Sequence, residues 1–545
     1  MAIPGRADLR THEVANQPPD PGDRDLWADD PLLRHFAGHA GADARALAAY
    51  GAALGTVELR QAARDANRNL PELRLFDAGG RRLDEVAFHP AWHRFMGLSA
   101  AAGYHSTPWE GAPGGHATHA AMVLLASEVE PGHCCPLTMT AAGVPLLRAA
   151  SGIGAAWLPK VLARDHDPAV APAGAKRALT LGMAMTEKQG GSDLRTNATR
   201  AERAGDLWRL TGHKWFCSAP MSDGFFTLAQ TGAGLSCFLV PRWLEGGRNG
   251  IRLMRLKDKL GNRSNASAEI EYDGALAHLV GDEGAGVRVI LEMVHHTRLD
   301  TALAPVGLMR AALREALWWV THRTAFQRRL IDQPLMRAVL ADLTLDWAGA
   351  LALGLHVARA FDGTTPEARA FARIGVAVAK VMANKLCPVV VAEAMEALGG
   401  MGYIEDTGLP LLYREAPLNG IWEGAANVIC LDALRSLSRE PLTAAVLAAE
   451  LDAARGLAVE YDAALDLYRA RWPGPVPEAE ARWFVERTGL LLGASVLLRH
   501  GPAALAEAFV ATRLAPDGRG RLAGAVAGID ADAVLAAAGG AEGRP

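Results

Sequence analysis

At 545 residues the chain exceeds what one hydrophobic core supports and divides into about three or four domains. Half of its residues are hydrophobic and 21% are charged, the balance of a soluble globular protein. A net charge of −4 and a pI near 6.5 exclude a global attraction for nucleic acid or anionic membrane.

The first stretch, to residue 30, is polar and rich in Pro and Asp. It reads as an extended arm without the apolar core of a secretory signal. From there to residue 180 the pattern is Ala-, Leu- and His-rich and predicts helices, Ala117–Val129 among them, so that 1–180 forms an arm and a helical domain. Near 181 the character changes. Leu207–Phe216, Phe225–Thr231, Ser236–Val240 and Ala266–Tyr272 are short, apolar or alternating, and separated by turn signals; they predict a small β domain over 181–284. Helical spacing returns in Arg298–His322, Arg337–Asp362 and Ala377–Leu398 and predicts a helix bundle over 285–440. A break at Arg439–Pro441 opens an additional helical C-terminal domain, 441–545, whose tail Gly539–Pro545 has the composition of a disordered end. The apolar runs Trp347–Ala358 and Leu490–Leu498 are too short to span a bilayer, so no membrane insertion is expected. The six cysteines form no C-x-x-C pair and no zinc spacing, which predicts no metal and fits a reducing, cytoplasmic setting.

Chemistry concentrates in a few segments. In Ile421–Leu431 a single carboxylate, Glu423, stands between Trp422 and Gly424, followed by small residues and the neutral amide of Asn427. Two readings compete: an acid favoured by a helix N-terminal dipole, and a base whose pKa is tuned by apolar company. Upstream, Met185–Asp193 (MTEKQGGSD) offers the Thr186 and Ser192 hydroxyls and backbone bared by Gly190 and Gly191, which can hold a polar heterocycle or merely make a turn. Lys214–Ser218 ends a strand in Trp215 and Phe216, a wall for a flat ring or a half-buried strand end. Lys259–Arg263, Arg323–Phe326, Gln333 and Ala397–Tyr403 follow, the last with glycines that allow close backbone approach.

In this order, and on these elements, the segments resemble the acyl-CoA dehydrogenase superfamily. Within it they are most similar to the AidB-like, alkylation-response branch, to which Asn16-Gln17-Pro18, Phe88–His93, Lys-Leu-Gly-Asn-Arg-Ser-Asn-Ala-Ser and the extra C-terminal domain also point. The resemblance implies a mainly α fold with a small β-barrel middle domain and FAD as cofactor. Met185, Thr186, Gly191 and Ser192 then match flavin-binding positions. Phe216, Cys217 and Ser218 match the wall against the ring, and Ile421, Trp422, Gly424 and Asn427 the segment running past it. Arg323, Phe326, Gln333 and Gly400 match positions that reach the adenosine diphosphate half, in many members across a subunit contact, which implies a homotetramer. Glu423 matches the base that takes the α-proton of an acyl-CoA thioester while the flavin accepts hydride from the β-carbon. Some members carry the base on an earlier bundle helix; here that region reads His295-His296-Thr297-Arg298, without a carboxylate. Arg435 matches a family arginine and either orients the site or makes a structural ion pair.

Several positions depart from the pattern. Lys188 replaces a proline, Phe216-Cys217-Ser218 replaces a wall with a threonine hydroxyl, and Trp422 replaces a tyrosine and can narrow the substrate tunnel. The branch also implies double-stranded DNA binding with protection against alkylation. Residues 441–545 hold 10 Arg and no Lys against 13 Asp and Glu, so phosphate neutralisation would need a one-sided face, with Arg469/Arg471 and Arg513/Arg519/Arg521 as candidates.

Overall fold

The computed structural model describes residues 7–150 and 152–540. The start of the arm and the last five residues of the tail, 541–545, lie outside the described residues, so the expectation for that tail has no structural counterpart.

Residues 31–161 form seven helices and one hairpin. The helix Gly115–Ser127 is buried along its whole length, with apolar residues on every side and His116, Thr118 and His119 hydrogen-bonded in its first turns. The hairpin Glu72–Phe76 with Arg82–Ala87 interrupts what the sequence presents as a helical region. Asp84, buried in a left-handed conformation (φ 49°), accepts from Leu253 N and Arg82 and so ties the hairpin to the β domain.

Five strands close into a ring: Leu207–Ser218 pairs with Ser267–Val280 and Arg200–Ala204, and Gly224–Thr231 and Gly234–Pro241 complete it. Ile251–Leu256 and Leu181–Ala184 add to its edges. The inward positions Trp208, Leu210, Phe225, Phe238, Ala268 and Ile270 fill the barrel. Ile270 pairs with Lys214 and Ala268 with Cys217, so Trp215 and Phe216 together face one residue, Glu269. This β-bulge changes the inward phase, which puts Cys217 in the core and leaves Phe216 outside.

Beyond the barrel, the helices Gly286–His322, Pro334–Phe361, Pro366–Ala397 and Ala426–Arg439 form the bundle. Two of them start where the sequence signals it, with Pro at the first position, and Thr365 caps the second through its side chain. Pro334–Phe361 and Pro366–Ala397 correct one expectation. Each is long and apolar enough to cross a membrane, yet 89% and 78% of their most apolar windows are buried inside the bundle. Five further helices lie between Pro441 and Ala537; four pack on the same bundle, and Val459–Arg471 packs on the helices Ala481–His500 and Ala503–Arg513. Gly489 lets the helix Ala481–His500 approach Met382, whose Cγ would lie 2.2 Å from a Cβ there.

The segment Lys259–Ser267 is the junction of three domains. Asn262 donates its backbone N–H and its side-chain amide to Glu415 of the bundle. Ser264 Oγ donates to Glu130 of the N-terminal domain at 2.6 Å. A Cβ on Gly261 would lie 2.4 Å from the Arg414 carbonyl oxygen, so glycine is required for that approach.

Candidate active site

Glu423 is not a helix cap. The helix begins at Ala426, and Glu423 occupies the turn before it at φ 57°, a left-handed conformation that costs a glutamate about 1–3 kcal/mol. Gly424 continues the turn at φ 102°. Its stabilisation comes from Lys380, which is buried on the helix Pro366–Ala397. The Nζ donates to the carbonyl oxygens of Asn419 (2.9 Å), Trp422 (2.8 Å) and Gly424 (3.0 Å), so one ammonium gathers the turn from three sides. The Trp422 indole N–H donates to Asn419 Oδ1 at 2.8 Å and fixes the ring beside it.

The carboxylate itself accepts from Thr297 Oγ1 at 2.7 Å. Thr297 sits on the helix Gly286–His322, where some family members are expected to carry their base, so the two alternative base positions meet in space. Arg298, the next residue, donates to the Glu423 carbonyl at 3.3 Å and pairs with Asp432 at 2.8 Å. Asp432 in turn pairs with Arg373 at 2.8 Å. Burial raises the Glu423 pKa above the ordinary carboxylate value, while the Thr297 hydrogen bond and the Lys380 charge oppose that rise. The same burial lowers Lys380 to about 7. Burial thus pushes the carboxylate up and the neighbouring ammonium down, and the upward direction is the one a general base requires.

The flavin-motif residues divide into two sets. Met185 and Trp422 pack half-buried against the same apolar cluster, which includes Cys135 and Met139, so the upstream loop and the Glu423 turn share one wall. Trp215 N donates to the Thr186 carbonyl at 2.7 Å and joins the loop to the strand end. A Cβ on Gly191 would lie 2.3 Å from Thr186 Oγ1, so only glycine allows the threonine hydroxyl its place. Neither the Thr186 nor the Ser192 hydroxyl has a hydrogen-bond partner among the described residues. Phe216 (49% exposed), Ile421 (65% exposed), half-buried Gly424 and exposed Asn427 complete a surface with free hydroxyls and an exposed aromatic ring, over which Lys257 Nζ lies at 4.7 Å. Such a set fits a flat polar heterocycle. Ser218 Oγ lies 3.0 Å from Ser267 Oγ, and Lys257 stacks 3.3 Å over the Trp215 ring. The Cys217 side chain is a correction: the bulge turns it into the barrel core, away from this surface.

The second set is elsewhere. Twenty-six residues of one helix and its end separate Thr297 from Arg323, about 39 Å at roughly 1.5 Å per residue. Arg323 donates to the Asn16 carbonyl at 2.5 Å, and Asn16 exchanges two 2.8 Å hydrogen bonds with Thr324, which pins the arm there. Phe326 is 91% exposed at the tip of a tight hairpin, Gln333 donates to Ala325 O at 3.2 Å, and Gly400 lies exposed on a short 3-10 turn. A single chain does not bring these four to Glu423. Arg435 also stays apart: it is exposed on the helix Ala426–Arg439 and forms no ion pair among the described residues. The cations at the Glu423 loop are Arg298 and Lys380.

Sequence reasoning missed the ties behind the site. Glu187 accepts from Lys214 Nζ (2.8 Å), Thr199 Oγ1 (2.6 Å), Ala198 N (2.7 Å) and Gln189 Nε2 (2.8 Å), with both charged side chains fully buried. Against its burial, these partners hold Glu187 down at about 2, and burial lowers Lys214 to about 8. Lys188 also has a reason to replace proline: its backbone N–H donates to His213 Nε2 at 3.0 Å, which proline has no hydrogen to do. The signal for Lys380 was present as a lone cation in the apolar run Ile374–Met382.

The arginine clusters proposed for DNA are occupied. Arg469 pairs with Asp452 (2.8 Å) and Arg471 with Glu480 (3.1 Å) while stacking on Trp483. Arg513 is buried, and Arg513 and Arg519 both bridge to Asp342 and Asp346 of the bundle at 2.6–3.0 Å. They hold the C-terminal domain to the bundle; of the candidates only Arg521 has no ion pair among the described residues.

Residues 16–168 match the adaptive response protein AidB N-terminal domain, 182–275 the acyl-CoA dehydrogenase middle domain and 284–438 the acyl-CoA dehydrogenase C-terminal domain. The chain is 42% identical to the putative acyl-CoA dehydrogenase AidB of Escherichia coli, across 97% of this chain and 99% of that protein. The crystal structure of Caenorhabditis elegans ACDH-11 in complex with C11-CoA superposes with a TM-score of 0.81 at 27% identity, covering 93% of this chain and 94% of that one. An acyl-CoA dehydrogenase complexed with FAD from Bacillus anthracis shares the fold at a TM-score of 0.62 and 17% identity, covering 78% and 77%. The chain belongs to the acyl-CoA dehydrogenase family, in its AidB-like branch.

Proposed function

We propose that the protein is an FAD-dependent oxidoreductase that removes the α- and β-hydrogens of an acyl-CoA thioester, with Glu423 as the base. The observation that carries this reading is the held carboxylate. Glu423 sits in a left-handed turn fixed by Lys380, with its Oε2 on the Thr297 hydroxyl and its pKa raised by burial. Bound FAD supplies the hydride acceptor. Met185, Thr186, Gly191 and Ser192 would hold it on one side, and Phe216, Ser218, Ile421, Trp422, Gly424 and Asn427 on the other.

The work of this chain's residues follows from their positions. Lys380 keeps the turn closed, so the carboxylate meets the α-carbon in one orientation. Thr297 releases or retains its hydrogen bond as Glu423 gains the proton. The Glu423 backbone N–H would polarise the thioester carbonyl, the role the family resemblance implies, which acidifies the α-proton. The apolar cluster behind Met185 and Trp422 excludes water. Arg323, Phe326, Gln333 and Gly400 lie too far from Glu423 in one chain and would serve the adenosine end of a neighbouring subunit's cofactor, in a homotetramer. Six buried, unpaired cysteines support a reducing, cytoplasmic setting.

Anaerobic mixing of the flavin-loaded protein with a panel of acyl-CoAs tests the proposal. At least one should bleach the flavin band at about 450 nm, a property of the cofactor. Bleaching by none, across straight and branched chains, would overturn it.

A further inference from the structure

The middle of the segment Lys259–Ser267 joins three domains, and its two ends meet each other. Lys259 Nζ donates to the Asn265 carbonyl oxygen at 2.8 Å and to Ser267 Oγ at 3.2 Å. Ser267 opens the strand Ser267–Val280 directly opposite Ser218, and the two hydroxyl oxygens lie 3.0 Å apart. Ser267 is 5% exposed, whereas Ser218 is half-buried at the surface that fits the flavin. The backbone holds this pair in place. The Ser267 carbonyl accepts from Lys257 N at 2.8 Å, and Ala219, left-handed at φ 48°, donates its N–H to the Ala266 carbonyl at 2.8 Å.

An ammonium carries hydrogens and no lone pair, so it sets the direction of the chain. Ser267 Oγ must accept from Lys259, and its own hydrogen then points to Ser218 Oγ. The Ser218 hydrogen is left over, and no oxygen or nitrogen among the described residues accepts it. Beside it is the Cys135 thiol, a weak acceptor that burial keeps protonated, pushed up to about 12. The relay thus ends in an unused donor on the flavin surface.

The charge behind that donor has no ion-pair partner among the described residues. The acids that face Lys259 are already engaged, Glu130 by Ser264 and His133, and Glu415 by Asn262. Burial lowers Lys259 to about 8, which leaves it mostly charged at neutral pH. Cys135 packs in one apolar cluster with Met185 and Trp422 and senses the charges of both Lys259 and Glu423. The ammonium therefore stands behind the same wall as the carboxylate.

We infer that Lys259, acting through Ser267 and Ser218, presents a fixed donor backed by a positive charge to an acceptor atom of the flavin ring and so favours the reduced cofactor. This rests on the placement of FAD proposed above, not on Glu423 as the base. The ring gains an electron pair with the hydride from the β-carbon, so its acceptor atoms become more negative. A donor aligned beforehand stabilises them more in the reduced form than in the oxidised form. Nζ is at most about 9 Å from an acceptor beyond Ser218, where a unit charge at an effective dielectric of about 20 shifts the equilibrium on the order of tenfold. Lys259 and Ser267 are positioning residues, since they act on the ring only through Ser218.

Dye-equilibrated potentiometry of the full-length holoprotein, reduced chemically and without any acyl-CoA, tests this. Lys259→Met should lower the ratio of reduced to oxidised flavin against one dye about tenfold, a drop of about 30 mV for a two-electron couple. Ser267→Ala leaves the ammonium in place and should lower the ratio about threefold; it carries the test where the larger change disturbs the domain junction. The double variant should fall no lower than Lys259→Met, because both act on one chain. Lys259→Arg, which keeps the charge, should stay within about threefold of the native ratio. An unchanged ratio in Lys259→Met or in Ser267→Ala would overturn the inference, and so would a fall in Lys259→Arg as large as in Lys259→Met. A native protein that retains no FAD would remove it together with the cofactor's placement. These shifts without flavin reduction by any acyl-CoA would remove the reading of Glu423 alone.

Discussion

Replacing Lys380 by methionine probes the whole arrangement at once. The side chains have similar length and follow the same helix, so packing changes little, but three carbonyl oxygens lose their shared donor. Each buried carbonyl left unpaired costs about 1–3 kcal/mol, and the left-handed Glu423 turn adds about 1–3 kcal/mol of strain that Lys380 no longer offsets. The turn should relax, and displacement of a base by even about 1 Å lowers rates about 100-fold. A second consequence separates position from charge. Lys380 lowers the Glu423 pKa, so its removal should raise that pKa further. The base must be ionised to act, so the rising limb of flavin reduction against pH should move to higher pH. Stopped-flow reduction across pH 5 to 9 measures both. A fall in rate with an unmoved limb would mean that Lys380 acts only as packing, and a native rate would refute the argument.

The other predictions concern the supports of the site. Gly191→Ala should force Thr186 aside and lower FAD retention on gel filtration; full retention would contradict the cradle. For the Glu187–Lys214 pair the two shifts oppose each other. Glu187, at about 2 against an ordinary 4.5, contributes stability that is complete above pH 4.5 and lost as pH falls toward 2. Lys214, at about 8 against 10.5, costs stability below pH 8, and that cost fades as pH rises to 10.5. The two contributions oppose each other, so the double variant Glu187→Gln/Lys214→Met should lie close to the native protein in urea denaturation at neutral pH and surpass it in acid. A double variant much weaker at neutral pH would refute the cancellation. Arg513→Ala leaves Asp342 and Asp346 with fewer partners and should cost about 3–5 kcal/mol, seen as faster limited proteolysis of the last hundred residues. Arg469→Ala and Arg471→Ala should leave any duplex-DNA affinity at low salt unchanged; a tenfold loss would restore that face as a nucleic-acid contact.

The order of elements was readable because helix and strand periods differ and the switch near 181 is abrupt. The hairpin at 72–87 was not, since its strands are short and lie inside a helical stretch; the Asp77–Gly80 turn was the available signal. Motif residues Thr186, Gly191 and Glu423 carry their reasons locally, in hydroxyls, missing Cβ atoms and apolar neighbours. Lys380 and Lys214 meet their partners across the fold, and no local pattern states which carbonyls or carboxylates they will reach. Cys217 failed as a wall residue because the bulge at Trp215–Phe216 depends on register with Glu269, which sequence spacing does not reveal. Arg435 failed because helix phase sends it to solvent while Arg298, from another helix, reaches the loop. The same distinction explains the arginines of the C-terminal domain: their number was visible, and their acidic partners on the bundle were not.

The central claim is that Glu423 removes the α-proton. Incubation of the oxidised holoprotein with an acyl-CoA in deuterium oxide, followed by mass analysis of the recovered thioester, reads that step directly. The native protein should introduce deuterium at the α-carbon, and Glu423→Gln, isosteric in the same turn, should slow this by about 10²–10⁴-fold. Undiminished exchange in Glu423→Gln would contradict the account.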